Sequence, residues 1–118
     1  MAEGEVKAAL MNYRISAQKA RIVADAVRNK GVEEALNILA VSTKKFAQPL
    51  SKLVQSAVAN AEDKNDTHNA GFDVDRLKIS KITVDEGSSM WRIRARAQGR
   101  ASWVQKRTSH IKLVLSER

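Results

Sequence analysis

The segment that most constrains the fold is residues 90–103, which read MWRIRARAQGRASW. It contains four arginines and no acid, and both tryptophans of the chain lie near its ends. Arginines alternate with apolar or small residues from Arg92 to Ala97, and a period of two indicates a strand. Because like charges on one side of a strand repel each other, this segment requires a negatively charged partner.

Two strand-like segments flank this stretch. In residues 74–87 the apolar positions change parity between Ile79 and Ile82, which predicts one strand with a bulge near residues 80–81. Residues 104–115 end in an alternating apolar pattern, which predicts the last strand. We expect these two strands to pair.

We predict that both strands continue outward as a hairpin arm over residues 85–104, with a turn near Gln98 and Gly99. About eight or nine residues per strand give a projection of about 30 Å. The arm has few large apolar residues from which to build a core, namely Met90, Trp91, Ile93, Trp103 and Val104. Since a two-stranded ribbon without a supporting face is marginally stable in water, the arm depends on its partner.

The first part of the chain predicts a strand and two helices. An alternating pattern over residues 6–10 indicates a short strand. Ser16 is a suitable N-cap for a helix that Gly31 would end. A second helix is expected over residues 32–41, where two acids occupy the first turn.

A third helix follows, with Ser42 or Thr43 as its N-cap and an end near Ala61. Pro49 removes one backbone hydrogen bond within this pattern, so either the helix kinks there or its regular part begins there. Residues 62–73 are polar and rich in turn-forming residues, and we predict a surface loop.

The order of one strand, three helices and two strands predicts an α+β fold. Three helices would pack on a three-stranded antiparallel sheet, with a long protruding β-hairpin, in a single domain over residues 1–118. The absence of cysteine excludes disulfides and cysteine-based zinc sites. No apolar run reaches the roughly 20 residues of a membrane span, and the N-terminus does not resemble a secretory signal. A cytoplasmic location is therefore expected.

The net charge of +8, with a pI near 10.1, indicates a polyanionic partner. Its distribution is more informative: residues 87–116 contain seven basic residues and no acid, and residues 14–30 contain five basic residues and one acid. Arginine binds phosphate through paired hydrogen bonds and tryptophan stacks on bases, so RNA is the expected partner. The simpler explanations are a solvated loop for the arginines and packing at the hairpin base for the tryptophans; for Trp103 we favour packing.

An enzyme and a free regulator are the competing interpretations. The candidate catalytic or metal-binding residues are His68, His110, Asp73, Asp75, Asp85 and Glu86. No phosphate-binding loop, nucleophile motif or His/Cys cluster accompanies them, so we expect no catalytic residue, no metal, no cofactor and no small-molecule substrate. A regulator could use residues 14–30 as a recognition helix, but it would not need a long basic arm. Membrane binding would need larger apolar side chains on that helix.

Six blocks resemble, in order, the family of the bacterial-type large-subunit ribosomal protein twenty-two: SAQKARIVADAVRNK, VEEALNIL, SAVANAEDKN, ITVDEG, RAQGRA and KRTSHIKLVLSE. The resemblance extends over nearly the whole chain. It implies a structural constituent of the large ribosomal subunit that binds ribosomal RNA, aids its assembly and lines the peptide exit tunnel with the hairpin arm. The implied partners are large-subunit ribosomal RNA, neighbouring ribosomal proteins and the nascent peptide.

Carried over residue by residue, the resemblance assigns contacts with ribosomal RNA to Arg14, Lys19, Arg21, Arg28, Arg92, Arg94, Arg96, Arg100, Lys106 and Arg107. It assigns the tunnel lining to Met90, Trp91, Arg92, Ala97, Gln98 and Gly99. Two positions depart from the family pattern: Trp91 stands where a basic residue is usual, and Ala95 stands where proline is common. Trp91 could stack on a base or narrow the tunnel, and Ala95 should leave the free arm more flexible.

Overall fold

The computed structural model describes residues 5–68, 71, 73–95 and 97–117, without the side chains of His68 and Gln98. The helices and strands follow in the order β1 (Glu5–Tyr13), α1 (Ala17–Val27), α2 (Val32–Val41), α3 (Ala47–His68), β2 (Leu77–Glu86), β3 (Met90–Ala95), β4 (Ala101–Lys106) and β5 (Ser109–Glu117). The predicted α+β fold, with three helices, an antiparallel sheet and a separate hairpin, is confirmed. The division into one domain with an arm over residues 85–104 stays a prediction.

The main sheet has the strand order β1-β5-β2, and both pairings are antiparallel. The central strand β5 alternates, so that Ile111, Leu113 and Leu115 are fully buried under the helices. The register of β2 against β5 shifts between Ile79 and Lys81, which confirms the predicted bulge. Because of this shift, apolar residues of both parities in β2 reach the same core.

The turn between α1 and α2 differs from the prediction. Ser16 caps α1 as expected, with its Oγ accepting a hydrogen bond from the backbone of Lys19 at 3.4 Å. The helix ends before Gly31, however, and the left-handed residue that stops it is Asn29, with φ of 64°. Asparagine tolerates this conformation, which suits a helix end. Gly31 is instead the N-cap of α2 and pairs with Lys78 of β2.

The third helix is longer than predicted and starts later. It begins at Ala47, so Ser42 is not its cap but the C-cap of α2. Pro49 lies in its first turn, where a backbone N–H has no helical partner to lose. The helix continues to His68, so the predicted loop over residues 62–73 is wrong in its first part. Those residues are polar because the helix extends beyond the core, and residues 69, 70 and 72 lie outside the described part.

The hairpin forms a two-stranded sheet of its own, β3 with β4. The prediction that the main strands continue into the arm is wrong, because residues 87–89 and 107–108 separate the two sheets. The sequence Gly-Ser-Ser at the first break has low strand propensity. Each strand of the ribbon has six residues rather than the predicted eight or nine. The molecule extends over 63 × 28 × 19 Å. Its radius of gyration of 17.5 Å exceeds the ~13–14 Å of a compact chain of this length.

The buried face of β5 gives a direct test of the core. Leu113→Ala should lower the free energy of unfolding by about 2–5 kcal/mol, because the removed atoms leave a cavity beneath the helices. The neighbouring substitution Lys112→Ala, on the exposed side of the same strand, should change it by less than about 0.5 kcal/mol. Urea unfolding of both variants measures the difference. Equal effects would mean that β5 does not carry the core.

Candidate RNA-binding surface: a two-faced arm and the cleft at its base

The register of the ribbon gives the arm two chemically different faces. Directly paired residues point to the same side of an antiparallel ribbon. The arginine face therefore consists of Met90, Arg92, Arg94, Ser102, Val104 and Lys106. The tryptophan face consists of Trp91, Ile93, Ala95, Ala101, Trp103 and Gln105. The Nη2 atom of Arg92 lies 3.9 Å from the Sδ atom of Met90, as expected for neighbours on one face.

The large apolar side chains of the tryptophan face are open to solvent. Trp91, Ile93 and Trp103 expose 57%, 63% and 66% of their surface. The prediction that Trp103 packs at the hairpin base is wrong. The register places it opposite Ile93 in the middle of the ribbon, where it is removed from the core of the main sheet.

The tip of the arm is a short helical turn over Ala97–Gly99. The backbone N–H of Arg100 bonds the carbonyl of Ala97 at 3.4 Å. Gly99 has φ of 73°, a left-handed conformation that closes the turn and favours glycine. The exposed Arg100 therefore follows directly on the tip, whereas Arg96 lies outside the described residues.

A joint between the arm and the main sheet is made by hydrogen bonds. The N–H of Gly87 bonds the carbonyl of Thr108 at 2.9 Å, and the Oγ1 of Thr108 donates to the carbonyl of Ser88 at 2.6 Å. Ser109 donates from its Oγ to the carbonyl of Ile15 at 2.7 Å. Both hydroxyl residues are buried. A Cβ at position 87 would lie only 2.5 Å from the Oγ1 of Thr108, so the joint requires glycine there.

Beside this joint lies a basic cleft of about 450 Å³, here called the basal cleft. Its charged lining residues are Arg14, Lys19, Lys45, Lys106 and Arg107. None of the described residues that line the basal cleft is acidic. Tyr13 and Phe46, whose ring centroids are 5.7 Å apart, provide an apolar part of its wall. Five converging cations next to apolar rings suit an RNA backbone and its bases.

Comparison with known proteins decides the family. A family model described as ribosomal protein L22p/L17e matches residues 8–116. The chain belongs to this family of ribosomal proteins. It is a structural constituent of the large ribosomal subunit and binds ribosomal RNA, and other ribosomal proteins are its neighbours. The match covers the three helices, the arm and nearly all of the main sheet, so the resemblance found in the sequence is confirmed.

The structure divides the predicted RNA contacts of this L22p/L17e protein into separate groups. Arg14 and Lys19 join Lys106 and Arg107 in the basal cleft. Arg21 donates from Nη2 to the carbonyl of Val84 at 3.0 Å and so fixes α1 on β2. The contacts of these residues with RNA stay predictions.

Arg28 lies at the opposite end of α1 from the basal cleft and pairs with Asp25 at 3.0 Å. The apolar side of α1 is buried in the core. Arg21 is bonded to β2, and Lys19 and Arg28 lie near opposite ends of α1, so its basic residues do not form the row of base contacts that a recognition helix requires. This arrangement argues against the free regulator.

Lys45 is a candidate contact that the sequence analysis missed. It lies in the short segment between α2 and α3, and no local charge run marks it. Only the fold brings it into the same cleft as Arg107, which is far away in the sequence. Lys45 could have been predicted as an RNA contact only with the knowledge that this segment packs beside the base of the arm.

Two of the residues that could have suggested an enzyme, Asp73 and His110, have structural partners, whereas the side chain of His68 lies outside the described part. The carboxylate of Asp73 accepts from the N–H of Asp75 at 3.2 Å, and its own N–H bonds Glu117 Oε1 at 2.7 Å. His110 Nδ1 accepts from the N–H of Asn12 at 3.0 Å, beside an irregularity in β1. Among the described residues, no three His, Cys, Asp or Glu side chains converge as metal ligands. Within the same residues, no helix is both long and apolar enough to cross a membrane.

Lys45 and its neighbour Lys44 give a matched test of the basal cleft. Lys44 does not line the cleft. Binding of the full chain to large-subunit RNA should weaken about a thousandfold between 50 and 200 mM salt if about six phosphates are contacted. Lys45→Ala should lower the slope of log Kd against log salt by about 1, since one phosphate contact is lost. Lys44→Ala should leave the slope unchanged. Equal slopes for Lys45→Ala and the unaltered chain would exclude the cleft as a phosphate site.

Proposed function

We propose that this protein lines the peptide exit tunnel with its arm and that it helps the large subunit to assemble. The observation that carries the proposal is the arm itself. Every residue of β3 is exposed, the ribbon forms a sheet separate from the main sheet, and the molecule is elongated, with a longest extent of 63 Å. A ribbon of this kind is marginal in water, so its stable environment is the RNA into which it is inserted.

The proposed lumen residues lie at two levels of the arm. At the tip they are Ala97, Gln98 and Gly99; nearer the base they are Met90, Trp91 and Arg92. Ala97 and Gly99 are small, which suits a narrow passage. Near the base, Met90 and Arg92 lie on the arginine face and Trp91 on the tryptophan face, so only one of the two faces can be turned directly to the lumen at that level.

The role in assembly follows from the distance between two basic regions. The ribbon of six residue pairs separates the tip from the basal cleft by about 20 Å. A chain that binds RNA at both places ties together RNA segments that are distant from each other. Because the free arm has no core, it would become ordered as the RNA folds around it.

Cross-linking tests the tunnel assignment. A photoreactive amino acid in place of Gln98, at the tip, should cross-link to the nascent peptide in ribosomes stalled during translation. The same amino acid in place of Gln55, which is exposed on α3, should not. Both positions carry glutamine in the chain, so the insertion changes the same side chain in each case. A nascent peptide that cross-links equally from both positions, or from neither, would contradict the tunnel assignment.

A further inference from the structure

The tryptophan face is not covered by any of the residues that the structure describes, although it carries three large apolar side chains. Trp91, Ile93 and Trp103 are each more than half exposed. A contiguous apolar surface of this kind on a small protein marks a contact with another molecule. Trp103 is paired with Ile93, two residues along the strand from Trp91, so the two tryptophans are diagonal neighbours whose positions in the ribbon are about 7–8 Å apart.

This spacing suits a planar ring. Stacked bases are separated by about 3.4 Å, so a base placed between two rings needs about twice that distance. In a ribbon, side chains stand roughly perpendicular to the sheet. The two indoles therefore offer flat surfaces onto which bases can stack, with Ile93 beside them.

Charge decides which molecule covers the face. The opposite side of the ribbon carries Arg92, Arg94 and Lys106, and Arg100 follows the tip. Strands β3 and β4 contain no acid. An apolar protein partner would satisfy one face and leave the cations of the other without a counter-charge. RNA supplies apolar base surfaces and anionic phosphates in the same molecule.

We propose that Trp91 and Trp103 form a stacking site for unpaired nucleotides of the large-subunit RNA, while the arginine face contacts phosphates. The nucleotides are unpaired because the flat surface of a paired base is covered by its neighbours in the stack. This inference rests on the RNA-binding function and names the chemistry of one of its contacts. It assigns Trp91 to RNA, so Met90 and Arg92 border the lumen, where a long arginine side chain can still reach a phosphate.

The salt dependence of binding separates stacking from charge. The full chain is titrated with large-subunit RNA at several salt concentrations between about 50 and 200 mM. Trp91→Ala and Trp103→Ala should each weaken binding about 5- to 150-fold at every salt concentration, without changing the slope. Trp91→Phe and Trp103→Phe should recover most of the affinity, because phenylalanine also stacks. The emission of the tryptophans should be quenched when RNA binds.

Two control variants lie on the same ribbon. Ile93→Ala removes apolar surface from the tryptophan face without removing a stacking ring, and it should have the smaller effect. Arg92→Ala, on the opposite face, should lower the slope by about 1. All these side chains are exposed, so the variants should fold.

The possible failures are distinguishable. Unchanged affinity of both Trp→Ala variants, with unquenched emission, would overturn the stacking site if Arg92→Ala still lowered the slope. The tryptophan face would then meet the nascent peptide or a neighbouring protein, and RNA binding would stand. If the unaltered chain did not bind large-subunit RNA at all, both RNA binding and the stacking site would be wrong.

Discussion

The central strand β5 holds the molecule together. Its two edges bond β1 and β2, and its apolar side forms the middle of the core. Its first residues also belong to the joint of the arm, because Ser109 is tied to Ile15 and the preceding Thr108 is tied to Ser88. The same short segment therefore holds the main sheet together and sets the direction of the arm. The position of the arm relative to the body depends on these few bonds, since the described strands of the ribbon share no ladder with the main sheet.

The arm is built for an environment that the protein alone does not supply. In water its cations repel one another and its tryptophans remain exposed, so both of its faces are unfavourable in isolation. RNA resolves both problems at once, with phosphates for the arginine face and bases for the tryptophan face. The basal cleft continues the positive surface from the arm onto the body through Lys45, Lys106 and Arg107. A structural protein of the large subunit needs this division between a self-sufficient core and an arm stabilised by RNA.

Local patterns predicted much of the fold, and long-range contacts account for what they missed. The change of parity between Ile79 and Ile82 predicted the bulge, and apolar periodicity predicted the three helices. The last part of α3 was wrongly predicted as a loop because its residues are polar. Polar residues indicate exposure to solvent, and an exposed segment can still be helical. The exposure of Trp103 depends on the register, and the place of Lys45 in the cleft depends on packing between distant segments. Neither the exposure of Trp103 nor the position of Lys45 follows from a local sequence pattern. The positive charge of the arm was therefore predictable from the sequence, but the arrangement of the residues in the RNA-binding surface was not.

A built-in component of the large ribosomal subunit must sediment with that subunit, and sucrose-gradient sedimentation measures whether this chain does. A native lysate is separated on a sucrose gradient, before and after a high-salt wash, and the protein is quantified by mass spectrometry in each fraction. We expect one copy per large subunit that survives the wash, because an arm surrounded by RNA cannot leave by simple exchange of counterions. Presence in the light fractions alone would contradict it, and the chain would then act as a free nucleic-acid-binding protein.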